Sequence, residues 1–234
     1  MLFHLLYPLA EQYPVFNVFR YITFRAAGAV VTAVLLSMWL GPRFIRMLRR
    51  LSIGQNIRDV GPERHQVKAG TPTMGGLLIL FSVLVPTLLW ANLANPFIWL
   101  AIGVMTGFGA IGFLDDYLKI RRQQNEGLSV RLKLILQILV AVMAGIAVLS
   151  LPESYGFEGT IAFPVFKRAV YNLGLFYVPF MAVVLVGSSN AVNLTDGLDG
   201  LAIGATLVAA ATYVIFTYVA GNSVVAGYLQ VPYV

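Results

Sequence analysis

Two groups of acidic residues interrupt an otherwise oily chain. In IGFLDDYLKIRR, residues 111–122, Asp115 and Asp116 follow an uncharged run that begins at Ala69. In NAVNLTDGLDGLA, residues 190–202, Asn190, Asn193, Asp196 and Asp199 recur every third residue between two further uncharged runs. Neighbours on a helix point about 100° apart, so one of Asp115 and Asp116 faces a given pocket squarely. Lys119 lies three and four residues on, within reach of both. Paired carboxylates form a hard, oxygen-rich site that suits Mg²⁺ together with substrate phosphates. The plainer reading is a helix end whose acids pair with Lys119, Arg121 or Arg122. Ionisable groups near membrane depth favour function.

The second group, if helical, keeps its polar side chains along one side. Gly197 and Gly200 leave the backbone thin beside each acid, so a ligand can approach closely. A pair of Asp-Gly turns is the plainer alternative. It does not call for a ladder of Asn and Asp. A third stretch, VKAGTPTMGG at 67–76, offers Lys68, Thr73, other hydroxyls and backbone N–H groups to a phosphate oxygen. It lacks the Walker A order, and it also reads as a helix start with Pro72 near the first position. His4 and His65 have no partner spacing for a metal.

These groups need elements to hold them, and the composition says which. Of 234 residues, 59% are hydrophobic and 11% charged, with a mean hydropathy of +0.80. A soluble domain carries about 25% charged residues. The fold class is therefore all-α, a polytopic membrane helix bundle in the lipid bilayer, read as one domain over 1–234. About 20 apolar residues cross the hydrocarbon core. Six segments qualify: 26–40, 73–90, 97–114, 134–151, 173–186 and 201–220, the first and fifth extending into their flanks. WANLANPF divides the second from the third with a turn. The start, MLFHLLYPLA, has no basic segment of the kind a signal peptide carries. With no cysteine, disulfides and thiolate metal sites are excluded.

The net charge of +6 does not imply nucleic acid, because the basic residues lie between apolar runs. Twelve of the 16 fall in two segments, Arg43 to Lys68 and Lys119 to Lys133. The positive-inside rule makes both cytoplasmic and puts the N-terminus outside. Asp115, Asp116, Asp196 and Asp199 then share the cytoplasmic face. Acids, amides, lysines and glycines at a membrane surface suit Mg²⁺-assisted phosphoryl chemistry on a lipid substrate. A transporter would instead place acids at the midplane with paired broken helices. A non-catalytic membrane protein is the other alternative.

FNVFRYITFRA (16–26), GTPTMGG (70–76), GFLDDYLK (112–119) and NAVNLTDGLDGLA (190–202) together resemble the phospho-N-acetylmuramoyl-pentapeptide transferase family. This is one branch of the polyprenyl-phosphate sugar-1-phosphate transferases. The resemblance implies transfer of phospho-N-acetylmuramoyl-pentapeptide from UDP to undecaprenyl phosphate, with Mg²⁺, giving lipid I and UMP at a bacterial inner membrane. Carried over by motif, it implies Asp115, Asp116 and Lys119 as catalytic, with Asp115 and Asp116 also able to hold metal. Lys68 and Thr73 match positions near the nucleotide. Lys133 is a diphosphate contact, and Asn190, Asn193, Asp196 and Asp199 match the uridine and metal region. The family has about ten spans. The six read here leave out a later aspartate motif and a histidine-rich loop, which implies a partial chain that does not catalyse alone. The exposed apolar surface of six spans suggests a homodimer. A related transferase using another UDP-N-acetylhexosamine is the alternative within the superfamily.

Overall fold

The computed structural model describes residues 1–50, 74–122, 127–152, 155, 157, 159–162, 170–195 and 200–231. Five of the described helices are long and apolar enough to cross a membrane, and Gly76–Trp90 is a shorter apolar helix. The architecture is all-α and multi-pass, as the composition predicts. The residues group into two compact units, Met1–Gln137 and Ile138–Val234.

The first unit opens with the short helix α1 (Leu2–Leu6) and two 3-10 segments, Tyr7–Glu11 and Pro14–Arg20. The long helix α2 follows (Ile22–Arg50) and runs a further ten residues past the predicted end at 40. Its basic side chains sustain it. Arg43 Nη1 donates to Trp39 O at 2.7 Å and Arg46 Nε to Pro42 O at 3.2 Å, while Arg49 and Arg50 sit at the negative end of the helix dipole. Pro42 removes one backbone donor without ending the helix.

Helix α3 (Gly76–Trp90) has 15 residues, about 22 Å of rise, which is short of a hydrocarbon core. It packs on α2, most closely at Gly28. A Cβ on Gly28 would fall 2.6 Å from the Trp90 ring, so only glycine fits there. Trp90 Nε1 donates to Thr32 Oγ1 at 2.9 Å, and Phe19 stacks on the indole at 5.9 Å. Trp90, the last residue of α3, thus packs its indole on α2.

Helix α4 (Pro96–Arg122) starts where WANLANPF predicts a turn. Pro96 occupies the first position and Asn95 Oδ1 accepts from Phe97 N at 2.9 Å. Its 27 residues span about 40 Å, so the helix carries its last turns beyond a hydrocarbon core. The acids at 115 and 116 therefore lie within the helix, not at its end. Lys119, Arg121 and Arg122 occupy the last turn. Helix α5 (Val130–Leu149) begins after Ser129, whose Oγ accepts from Leu132 N at 3.4 Å.

In the second unit a short hairpin, β1 (Thr160–Ala162) with β2 (Val170–Asn172), pairs antiparallel with Thr160 opposite Asn172. Helix α6 (Tyr177–Thr195) follows a 3-10 turn. Gly145 of α5 lets α6 approach, since a Cβ there would lie 3.2 Å from Val178 Cα. Gly200, at φ 86°, leads into α7 (Leu201–Ala220), and Asn222 caps α8 (Ser223–Leu229). Large apolar side chains such as Leu207, Val214 and Phe216 are exposed on α7, the arrangement expected of a helix facing lipid.

Candidate functional site

The described site residues of the first unit converge on Asp115. This residue is 8% exposed, on the third-last turn of α4. Its Oδ1 accepts from Leu128 N at 2.8 Å. Its Oδ2 lies 2.7 Å from Lys119 Nζ and 3.6 Å from Lys133 Nζ. Both oxygens are thus engaged: one by a backbone amide at the entry to α5, the other by two ammonium groups.

Asp116 points away, as adjacent helical residues must. Its side chain is 36% exposed, and Oδ1 pairs with Lys119 Nζ at 3.2 Å. Among the described residues Asp116 Oδ2 makes no hydrogen bond or ion pair. Lys119 thus bridges both carboxylates, at i,i+4 and i,i+3. Lys133, one turn into α5, closes the cluster from the other helix.

The cluster balances two acids with two lysines, and Arg121 and Arg122 follow on α4. It can exchange partners. A phosphate brings oxygens that compete with carboxylate for the same ammonium groups. Asp115 is buried and fully bonded, Asp116 is half-exposed, and Lys119 and Lys133 are part-exposed. The pairing that the plainer sequence reading describes is therefore present for Lys119. The same contacts leave a charged, donor-rich patch at the cytoplasmic end predicted for α4.

Sequence reading passed over Gly127 and Leu128. A Cβ on Gly127 would meet the Asp115 side chain and lie 2.5 Å from its backbone oxygen. A glycine placed directly before a Leu-Ser helix entry was the available signal.

The second unit holds Asn190 and Asn193 in the last two turns of α6, which continues as helix to Thr195. Asn190 is half-buried and its Nδ2 donates to Val186 O at 2.8 Å, while Asn193 is exposed. Their spacing puts them on one side of the helix, as the ladder predicts. Asp196, Asp199, Lys68 and Thr73 lie outside the described residues. Among the described residues no group of three or more His, Cys, Asp or Glu could hold a metal ion.

Known proteins match this chain along its whole length. A phospho-N-acetylmuramoyl-pentapeptide-transferase from Oleidesulfovibrio alaskensis is 53% identical over 234 residues, all of this chain and 64% of the relative. One from Nitratidesulfovibrio vulgaris is 57% identical over the same span, and one from Syntrophus aciditrophicus is 51% identical over 232 residues. The chain thus spans 64% of the length of these relatives. Residues 68–80 match the phospho-N-acetylmuramoyl-pentapeptide-transferase signature 1. The model for glycosyl transferase family 4 matches residues 98–231, which include the Asp115 cluster and both asparagines. The chain belongs to glycosyl transferase family 4 and carries the phospho-N-acetylmuramoyl-pentapeptide-transferase signature.

Proposed function

We propose that this chain supplies the acceptor and diphosphate part of a phospho-N-acetylmuramoyl-pentapeptide transferase. The donor is UDP-N-acetylmuramoyl-pentapeptide, the acceptor is undecaprenyl phosphate, and the products are lipid I and UMP. The observation that carries this reading is the cluster of Asp115, Asp116, Lys119 and Lys133 on two apolar helices. The names of the relatives support the group transferred, phospho-N-acetylmuramoyl-pentapeptide.

In the reaction an oxygen of the lipid phosphate attacks the phosphorus attached to the sugar. The bridging P–O bond breaks and UMP leaves. Lys119 and Lys133 hold the phosphate oxygens by charge, and the aspartate pair positions the lipid phosphate and takes its proton. The residues fit Mg²⁺ at one point: Asp116 Oδ2 has no partner among the described residues, whereas both oxygens of Asp115 are engaged. Asp116 with phosphate oxygens would hold the ion, joined by Asp115 when its lysines turn to phosphate. Bound there, Mg²⁺ would neutralise charge on the diphosphate. The motif resemblance assigns Asn190, Asn193, Asp196 and Asp199 to uridine and metal binding, and Lys68 and Thr73 to nucleotide binding. The site lies on the cytoplasmic side of a bacterial inner membrane, with the N-terminus outside.

Nucleotide binding tests the reading on the chain itself. UMP raises the thermal midpoint of the detergent-solubilised protein, and UDP-N-acetylmuramoyl-pentapeptide competes for the site better than UDP-N-acetylglucosamine. Preference for the second donor would move the chain to a related hexosamine transferase. Absence of any nucleotide-dependent shift would remove the nucleotide site.

A further inference from the structure

From the contacts around Asp115 we infer that Gly127 and the Leu128 N–H are positioning elements that set the direction of the Asp115 carboxylate. The consequence for transfer rests on the function proposed above; the anchor does not. Asp115 and Leu128 are 13 residues apart, on α4 and at the entry to α5. The amide at 128 reaches Oδ1 at 2.8 Å because Gly127 presents no side chain there. A Cβ at 127 would run into both the carboxylate and the backbone oxygen of Asp115. With Oδ1 fixed by the amide, Oδ2 is turned toward Lys119 and Lys133, at 2.7 and 3.6 Å.

The arrangement gives one carboxylate two separate tasks. Oδ1 joins the start of α5 to α4 through an uncharged donor fixed in the backbone. Oδ2 holds the two lysines through contacts that a phosphate can replace. When substrate draws the ammonium groups away, the amide keeps the carboxylate in place. Gly127 acts through Asp115 and touches no substrate, so its role is positioning.

Carbodiimide labelling, read residue by residue by mass spectrometry on the full chain in detergent, tests this without requiring turnover. Gly127→Ala raises labelling of Asp115 relative to Asp116 by about fivefold, the weight of one ordinary hydrogen bond. Leu128→Pro removes the N–H while keeping Gly127, and it gives the same rise should Gly127→Ala fail to fold. Leu128→Ala keeps the N–H and leaves the ratio within about twofold of the parent, since it loses no hydrogen bond to Asp115. An unchanged ratio in the folded Gly127→Ala and Leu128→Pro proteins, or an equal rise in Leu128→Ala, overturns the inference. A raised ratio in a chain that shows no nucleotide-dependent shift keeps the anchor and counts against the transferase reading alone.

Discussion

Lys119 Nζ lies 2.7 Å from Asp115 Oδ2, and the same ammonium reaches Asp116 Oδ1 at 3.2 Å. One lysine thus holds two adjacent carboxylates whose oxygens would otherwise repel. Removing it leaves Asp115 with Lys133 at 3.6 Å and leaves Asp116 unpaired among the described residues. Lys119→Met is expected to lower transfer on the order of a hundredfold, the usual effect of deleting one charge-stabilising donor. The readout is turnover in a chimera in which residues 1–234 replace the matched segment of the Oleidesulfovibrio alaskensis relative.

Asp116→Asn separates chemistry from folding. The side chain is half-exposed and makes one ion pair, and an exposed pair contributes about 0–1 kcal/mol. Transfer by the chimera is expected to vanish while the thermal midpoint stays close to the parent's. Near-normal turnover would remove Asp116 from the mechanism.

Gly28 and Trp90 make a prediction about stability alone. A Cβ 2.6 Å from the indole has no room, so Gly28→Ala forces the ring aside and breaks its bond to Thr32. The expected loss is about 1–3 kcal/mol, read as a lower thermal midpoint in detergent. In a Trp90→Ala background the same substitution loses most of its effect, because the clashing ring is gone.

The proposed orientation can be read directly because the chain has no cysteine of its own. Tyr13 and Arg122 are both exposed. In intact cells a membrane-impermeant maleimide is expected to label Tyr13→Cys, and to label Arg122→Cys only after permeabilisation. The reverse pattern would invert the topology and put the Asp115 cluster outside.

The helices were legible because apolar run length is a direct consequence of bilayer thickness. The span predicted at 201–220 coincides with α7, and the turn at Asn95 and Pro96 follows from proline's missing donor and asparagine's capping oxygen. Helix ends were less legible. Charged residues mark where a run leaves the lipid, not where the helix stops, so α2 and α4 continue through Arg50 and Arg122. The hairpin at Thr160–Ala162 and Val170–Asn172 has no apolar run to announce it. At the site, the neighbourhood of Asp115, Asp116 and Lys119 follows from helical spacing. The approach of Lys133 and the Leu128 amide depends on where the chain brings the start of α5 beside Asp115, a tertiary fact that spacing does not encode. Gly127 was passed over because its importance lies in an atom it lacks.

Transfer by the chimera tests the central claim most directly. With UDP-N-acetylmuramoyl-pentapeptide, undecaprenyl phosphate and Mg²⁺, it is expected to release UMP and form the lipid-linked product in equal amounts. Asp116→Asn should stop both. A folded chimera that forms neither product, or an Asp116→Asn chimera that forms both at the parent's rate, would contradict the account.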